Sequence, residues 1–224
     1  MSLVLHYHPL SSCSWKVLLA LDEMGIAFTP EVVQLGDATP AEFLALWPTG
    51  KIPLLVDGDR VVPETSIIIE YLGQGHAAPG RALLPDDPGS ALETRLLDRM
   101  LDLYVMTPMQ AIVADRLRAE SERDPLGVAK ARETLSMAYG LLDARLAGRT
   151  WMAGESFTLA DCAAAPALFY ATTVVPLPAA CARLGDYVER VLQRPSMQRV
   201  LEAAQPFFAY YPYREALPVR YQGA

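Results

Sequence analysis

The chain reads as an α/β first third followed by an all-helical remainder. Three observations give that reading. Roughly the first eighty residues alternate short apolar strands with helical stretches. A segment rich in glycine and proline follows, from Gly73 to Gly89. Beyond it, apolar residues recur at helical spacing. At 224 residues the chain has the length of one large or two small domains. The change in texture divides it into a first domain over 1–77, a linker over 78–90 and a second domain over 91–224.

Leu3-Val4-Leu5-His6-Tyr7 is a short apolar strand. Ser14 to Gly25 is predicted helical, because Val17, Leu18, Leu21 and Met24 recur at helical spacing while Asp22 and Glu23 face outward. Gly25 is a C-terminal stop. Ile26 to Leu35 holds a second strand centred on Phe28 to Val33, and Pro40 to Trp47 is a short helix or turn. Ile52 to Val56 is a third strand, Asp57-Gly58-Asp59 a tight hairpin and Arg60 to Pro63 a fourth strand. Glu64 to Gly73 is helical, with Ile67, Ile68, Tyr71 and Leu72 as its buried stripe. Helix crossovers require parallel pairing early in this β-α-β-α-β-β-α order, and the hairpin requires an antiparallel edge later. That is a thioredoxin-like pattern.

Past the linker, a long helix runs from Leu92 to Glu120, with Leu96, Met100, Leu103 and Tyr104 on one face and Pro108 as a kink. Further helices span 126–146, 158–170, 183–192 and 196–204. The tail from Gln205 to Ala224 is aromatic and aperiodic.

Composition narrows the function. The formal net charge of −7 argues against a general nucleic-acid surface. No apolar run has the roughly 18 residues of a membrane span, and the N-terminus lacks the layout of a signal peptide. Cys13, Cys162 and Cys181 are sparse and odd in number, which reads as reduced thiols in a cytoplasm. His6, His8 and His76 make no metal signature with them, so no metal is expected.

Three motifs stand out. Ser11-Ser12-Cys13-Ser14-Trp15-Lys16-Val17 joins the first strand to the first helix. Helix N-termini carry unpaired N–H groups and the positive end of the dipole, so small polar side chains and a thiol there build an anion site; the same serines also serve as an N-cap. Gly50-Lys51-Ile52-Pro53-Leu54-Leu55 starts a strand with proline. A cis Ile52–Pro53 bond would turn the Ile52 N–H and C=O toward an extended peptide ligand. Pro63-Glu64-Thr65-Ser66 opens a helix, where Thr65 and its N–H suit a carboxylate and Glu64 an α-amino group.

In this order and spacing, the three motifs resemble the cytosolic glutathione transferase family, over essentially the whole chain. Ser11 to Val17 is similar to the serine-type active-site run, closest to that of the zeta class. Residues 50–55 resemble the family's cis-proline segment, and Glu64-Thr65 its γ-glutamyl site with Thr in place of the usual Ser. Phe157-Thr158-Leu159-Ala160-Asp161 resembles the buried capping box, in which Thr158 and Asp161 serve folding. The resemblance implies an all-helical second domain and glutathione as co-substrate, with Ser11 donating to its thiolate and Ser12 or Cys13 as alternatives. Lys51, Ile52 and Pro53 then meet the cysteinyl-glycyl end, and Glu64 and Thr65 the γ-glutamyl end. Tyr104, Met106 and Met109 either line an electrophile pocket between the domains or are core residues. The implied reaction is conjugation to a small hydrophobic electrophile in detoxification. A maleylacetoacetate isomerase-like cis–trans isomerisation, in which a cysteine at the place of Cys13 assists, comes second; the scaffold also serves in non-catalytic regulatory modules. A cytoplasmic homodimer is expected, with no nucleic-acid or membrane partner.

Overall fold

A computed structural model describes residues 3–34 and 39–221. It divides into two compact units, Met1–Leu84 and Pro85–Ala224.

The first unit is built on strands β1 (Leu3–Tyr7), β2 (Thr29–Val32), β3 (Leu54–Asp57) and β4 (Arg60–Val62), with helices α1 (Ser12–Met24), α2 (Ala41–Leu46) and α3 (Thr65–Gly75). The sheet order is β2-β1-β3-β4. The β1–β2 pair is parallel, as a helical crossover demands, and β1–β3 and β3–β4 are antiparallel. This is the thioredoxin-like arrangement expected from the element order. Leu35, the end of the expected second-strand stretch, lies outside the described residues. Pro30 falls within β2, which is an edge strand and so tolerates the missing donor.

Side chains alternate across the sheet. Leu5 faces its partner Leu55 on one side, and both are fully buried. On the other side His6 pairs with Leu54, and α2 closes that face with Phe43, whose ring lies 5.5 Å from His6 and which packs with Val33 and Leu54. The buried residues of α3 are Ile68, Ile69 and Leu72; Ile67 of the expected stripe is exposed, and Ile69 takes its place. Helix α1 packs on α3. It ends at Gly25, whose φ of 70° is the left-handed conformation that favours glycine.

The second unit contains α4 (Pro88–Leu101), a π-helical turn (Asp102–Met106), α5 (Thr107–Leu117), α6 (Pro125–Arg145), α7 (Leu159–Val174), α8 (Ala182–Leu192) and α9 (Pro195–Ala204). The helix expected from Leu92 to Glu120 is therefore two helices joined by a π turn, and it starts earlier. Asp87 caps α4, accepting from the Ser90 N–H at 2.8 Å with Pro88 in the first turn, so helix begins inside the stretch read as linker. The break lies ahead of Pro108 because proline offers no N–H to the carbonyl four residues back and its ring crowds it. The Thr107 N–H reaches Asp102 O instead, and the Thr107 hydroxyl donates to the same oxygen at 2.8 Å.

Helix α7 is buried on nearly every face and extends to Val174, four residues past the expected end. The tail, aperiodic in sequence, folds as 3-10 turns over Gln205–Tyr210, Arg214–Ala216 and Val219–Tyr221. It packs within this unit. Tyr211 Oη and Thr173 Oγ1 are 2.7 Å apart, Phe208 and Tyr221 pack on Phe169, and Arg116 pairs with Glu215 at 2.8 Å beneath the Tyr213 ring. Among the described residues, no helix is long and apolar enough to cross a membrane.

Candidate active site

The sheet register gathers the three motifs. His6, near the end of β1, pairs with Leu54 at the start of β3, so residues 8–11 leave the sheet beside Ile52 and Pro53. Val62, the last residue of β4, pairs with Leu55, so Glu64 and Thr65 leave at that same end. The Ile52–Pro53 bond is cis, and Ile52 precedes the ladder, whose first pair on β3 is Leu54 with His6. Helices α1 and α3 both begin here, bringing two sets of helix N-terminal N–H groups to one end of the sheet.

The loop entering α1 is held by its own hydrogen bonds. The Ser11 N–H donates to His8 O at 2.9 Å, Leu10 N–H to His8 Nδ1 at 3.1 Å and the Trp15 indole N–H to Pro9 O. Burial lowers the His8 imidazole pKa, which favours the neutral ring that accepts from Leu10. Ser11 is the N-cap of α1: its Oγ accepts from the Ser14 N–H at 3.2 Å. Ser12 is buried, Cys13 half-buried and Ser14 fully buried. The helix therefore starts at Ser12, two residues before the expected Ser14, because Ser11 takes the capping place.

Glu64 is the N-cap of α3 and has a φ of 69°, a conformation that a side chain disfavours. Its carbonyl accepts from the Ile68 N–H at 2.8 Å, and its side chain makes no capping bond. Lys51 is exposed and Thr65 half-buried.

Two residues quoted within the motifs, Lys16 and Ser66, take no role in the sequence reading. Lys16 is only 1% exposed, and its ammonium donates to Ser66 Oγ at 3.0 Å, tying the first turn of α1 to the first turn of α3. The signal was present in the spacing: Lys16 stands three and four residues before Leu19 and Ala20, on the buried stripe.

In the second unit Tyr104 and Met106 lie on the π turn and Met109 on α5. Tyr104 is 40% exposed, while Met106 and Met109 are 5% and 3% exposed within the helical core. Thr158 and Asp161 form the reciprocal capping box at the start of α7. Asp161 Oδ2 accepts the Thr158 N–H at 2.8 Å and the Thr158 hydroxyl at 3.0 Å; Oδ1 accepts the Met152 N–H and the Tyr187 hydroxyl, both at 2.8 Å. Burial pushes the Asp161 carboxyl up, and these four donors oppose it. Cys162 and Cys181 are buried in this unit, away from any exposed chemistry. Among the described residues no group of acidic, histidine or cysteine side chains has the arrangement of a metal site.

A thioredoxin-like unit with two helix N-termini at a cis-proline, followed by a separate helical unit, defines a class of protein that comparison with known proteins makes specific. Residues 10–74 match the model of the glutathione S-transferase N-terminal domain, and residues 100–195 that of the C-terminal domain. The chain is 32% identical to glutathione S-transferase 3 of Zea mays over 211 residues, covering 90% of this chain and 94% of the relative. It is 34% identical to FtsZ-localized protein A of Caulobacter vibrioides over 170 residues, covering 72% and 73%. Among solved structures, a glutathione S-transferase from Methylobacterium radiotolerans in complex with glutathione sulfonate superposes with a TM-score of 0.78 at 26% identity, covering 89% of this chain and 94% of that one. The chain belongs to the glutathione S-transferase family.

Proposed function

We propose that this protein binds glutathione at the convergent end of the first unit and transfers its thiolate to a small hydrophobic electrophile. The observation that carries the reading is the meeting of three segments, Ser11–Cys13, Ile52–Pro53 and Glu64–Thr65, at the N-termini of α1 and α3. An extended tripeptide with a thiol in the middle and carboxylates at the ends matches that set. Ile52 presents a backbone pair to the cysteinyl unit, Lys51 a cation to the glycyl carboxylate, and Glu64 and Thr65 hold the γ-glutamyl end. The relative crystallised with glutathione sulfonate supports this assignment by fold.

Ser11 is the proposed donor to the thiolate, with Ser12 beside it. A free thiol titrates near 8.5, so only a few per cent is thiolate at pH 7. A charge-assisted hydrogen bond of roughly 1.5–3 kcal/mol lowers that pKa by about one to two units. The α1 N-terminus adds to the effect. Tyr104 is the exposed member of the proposed electrophile lining, with Met106 and Met109 as the packed residues behind it. Detoxification of electrophiles in a cytoplasm is the corresponding role.

The half-buried Cys13 on the first turn of α1 favours a second reading, glutathione-dependent isomerisation, in which a thiol assists. The zeta-class likeness rests on residues 11–17 alone. A homodimer is also proposed. Leu92 and Leu96 on α4, and Met137 and Leu141 on α6, are exposed apolar pairs at i, i+4 spacing. Arg145 continues the α6 stripe and reaches Glu93 at 2.9 Å, which brings the two pairs onto adjoining helix faces. Replacing Leu96 and Met137 with glutamate is expected to give a monomer by light scattering. A dimer unchanged in mass would place the interface elsewhere.

The deciding experiment for the function is retention on a glutathione resin together with turnover of a simple chromogenic electrophile. Retention and turnover that both fall in Ser11→Ala support conjugation. Neither retention nor turnover in the unaltered protein would sink it in favour of a regulatory module. A monothiol reductase acting through Cys13 is excluded if Cys13→Ala keeps full activity while Ser11→Ala loses it.

A further inference from the structure

The second unit holds a cavity that the proposed function does not use. It measures about 320 Å³ and is lined by Leu146, Gly148, Arg149, Thr150, Arg183, Asp186 and Arg190. Three of these are arginines, in a chain whose net charge is −7. Arg183 and Arg190 stand seven residues apart on α8, which places them on one face two turns apart. Arg149 comes from the turn after α6, where Gly148 takes a φ of 72°.

Each guanidinium is held in place. Arg183 Nη1 donates to Asp143 Oδ2 at 3.1 Å. Arg190 Nη1 donates to Thr150 O at 2.8 Å. Arg149 Nη1 donates to Glu93 Oε1 at 3.1 Å and Met152 O at 3.2 Å. All four bonds use Nη1. A guanidinium carries five N–H donors in a rigid fork, so most of each fork is left uncommitted by them. Asp143 and Glu93 orient Arg183 and Arg149, and the Thr150 carbonyl orients Arg190. The lining itself carries Asp186 as its single carboxylate against three cations.

We infer that this cavity binds a small phosphorylated molecule. A tetrahedral oxyanion offers several oxygens in different directions, which suits three forks arriving from a turn and two levels of a helix. A planar carboxylate engages one fork at a time. Asp186 accepts from a ligand hydroxyl or ammonium next to the phosphate. A volume of about 320 Å³ is in the range of small-molecule sites. The site lies wholly within the second unit and is independent of glutathione binding.

Titration calorimetry on the full chain with pyrophosphate, in a buffer free of other multivalent anions, tests this. The expected result is saturable one-site binding that weakens as salt is raised. Sodium acetate at the same concentrations is expected to give no saturable heat. The double variant Arg183→Gln with Arg190→Gln is expected to bind about tenfold or more weakly, each lost charge-assisted contact being a substantial share of such affinity. Both residues are exposed on α8, and the variant's ligand-free melting temperature reports whether it is folded. No saturable heat with pyrophosphate, or undiminished binding in a folded double variant, overturns the inference. Neither outcome depends on whether the protein turns over glutathione.

Discussion

At Ser11 the hydroxyl oxygen accepts the Ser14 N–H at 3.2 Å, and its own proton stays available to donate. Capping and catalysis are thus compatible on one side chain, and substitution separates them. Ser11→Ala removes both the cap and the proposed donor. It is expected to cost about 1 kcal/mol of stability and to lower kcat/KM roughly 10- to 100-fold, the worth of one charge-assisted hydrogen bond. Ser11→Asp keeps an acceptor for the cap but offers no proton and repels a thiolate. Its melting temperature should stay near that of the parent while its activity falls. A Ser11→Asp protein with parental turnover would move the donor to Ser12. Glu64 tests the other end. Its φ of 69° carries a strain that glycine does not feel. Glu64→Gly is expected to gain up to about 1 kcal/mol in urea unfolding and to raise the KM for glutathione. Lost stability together with an unchanged KM would remove Glu64 from the site.

At the scale of elements, the start of α7 depends on one carboxylate. Asp161 accepts four hydrogen bonds, from Met152, from Thr158 twice and from Tyr187, in a place with no solvent exposure. Asp161→Ala leaves buried donors unpaired, at about 1–3 kcal/mol for each that finds no water. A loss of about 3 kcal/mol or more is expected by calorimetry, with the KM for glutathione unchanged at temperatures where the variant is folded. Parental melting would contradict the folding role. The capping residues were legible in sequence because a capping box is local, spanning four residues. Asp87 before Pro88 and Asp124 before Pro125 carry an equally local signal, and both cap helices. The π turn at Asp102–Met106 had only Pro108 to announce it. Proline marks that a helix is disturbed, and the packing around it decides between a kink, a break and a change of hydrogen-bond register.

At the scale of the whole molecule, buried tyrosines are expected to set the alkaline limit. Burial raises the phenols of Tyr139, Tyr170 and Tyr187, with the Asp161 charge adding to the last, and pushes Tyr211 up to about 12. A folded pKa above the unfolded value near 10 means stability is fully present below pH 10 and is lost as pH rises toward the folded values. Each such tyrosine contributes a slope of about 1.4 kcal/mol per pH unit above pH 10. Urea midpoints measured at pH 9, 10 and 11 are expected to fall slightly over the first interval and about three times as steeply over the second. A flat profile to pH 11 would mean that these phenols ionise in place.

The sequence by itself determined the two-unit order, the strand and helix types of the first unit, the capping box and the likeness to one family. All of these rest on periodicity or on motifs of a few neighbouring residues, and short-range patterns survive without coordinates. Only the tertiary structure decided the rest. Strand register brought residues 11, 52 and 64 to one end of the sheet, across separations that no local pattern spans. Helix packing put the ammonium of Lys16 on Ser66 and seated an aperiodic aromatic tail on α7 through Tyr211, Phe208 and Tyr221. Packing of the second unit gathered Arg149, from the turn after α6, and Arg183 and Arg190, from α8, around one cavity. These depend on which surfaces pack together, and packing is a long-range compromise of volume, burial and hydrogen bonding that a linear pattern does not encode.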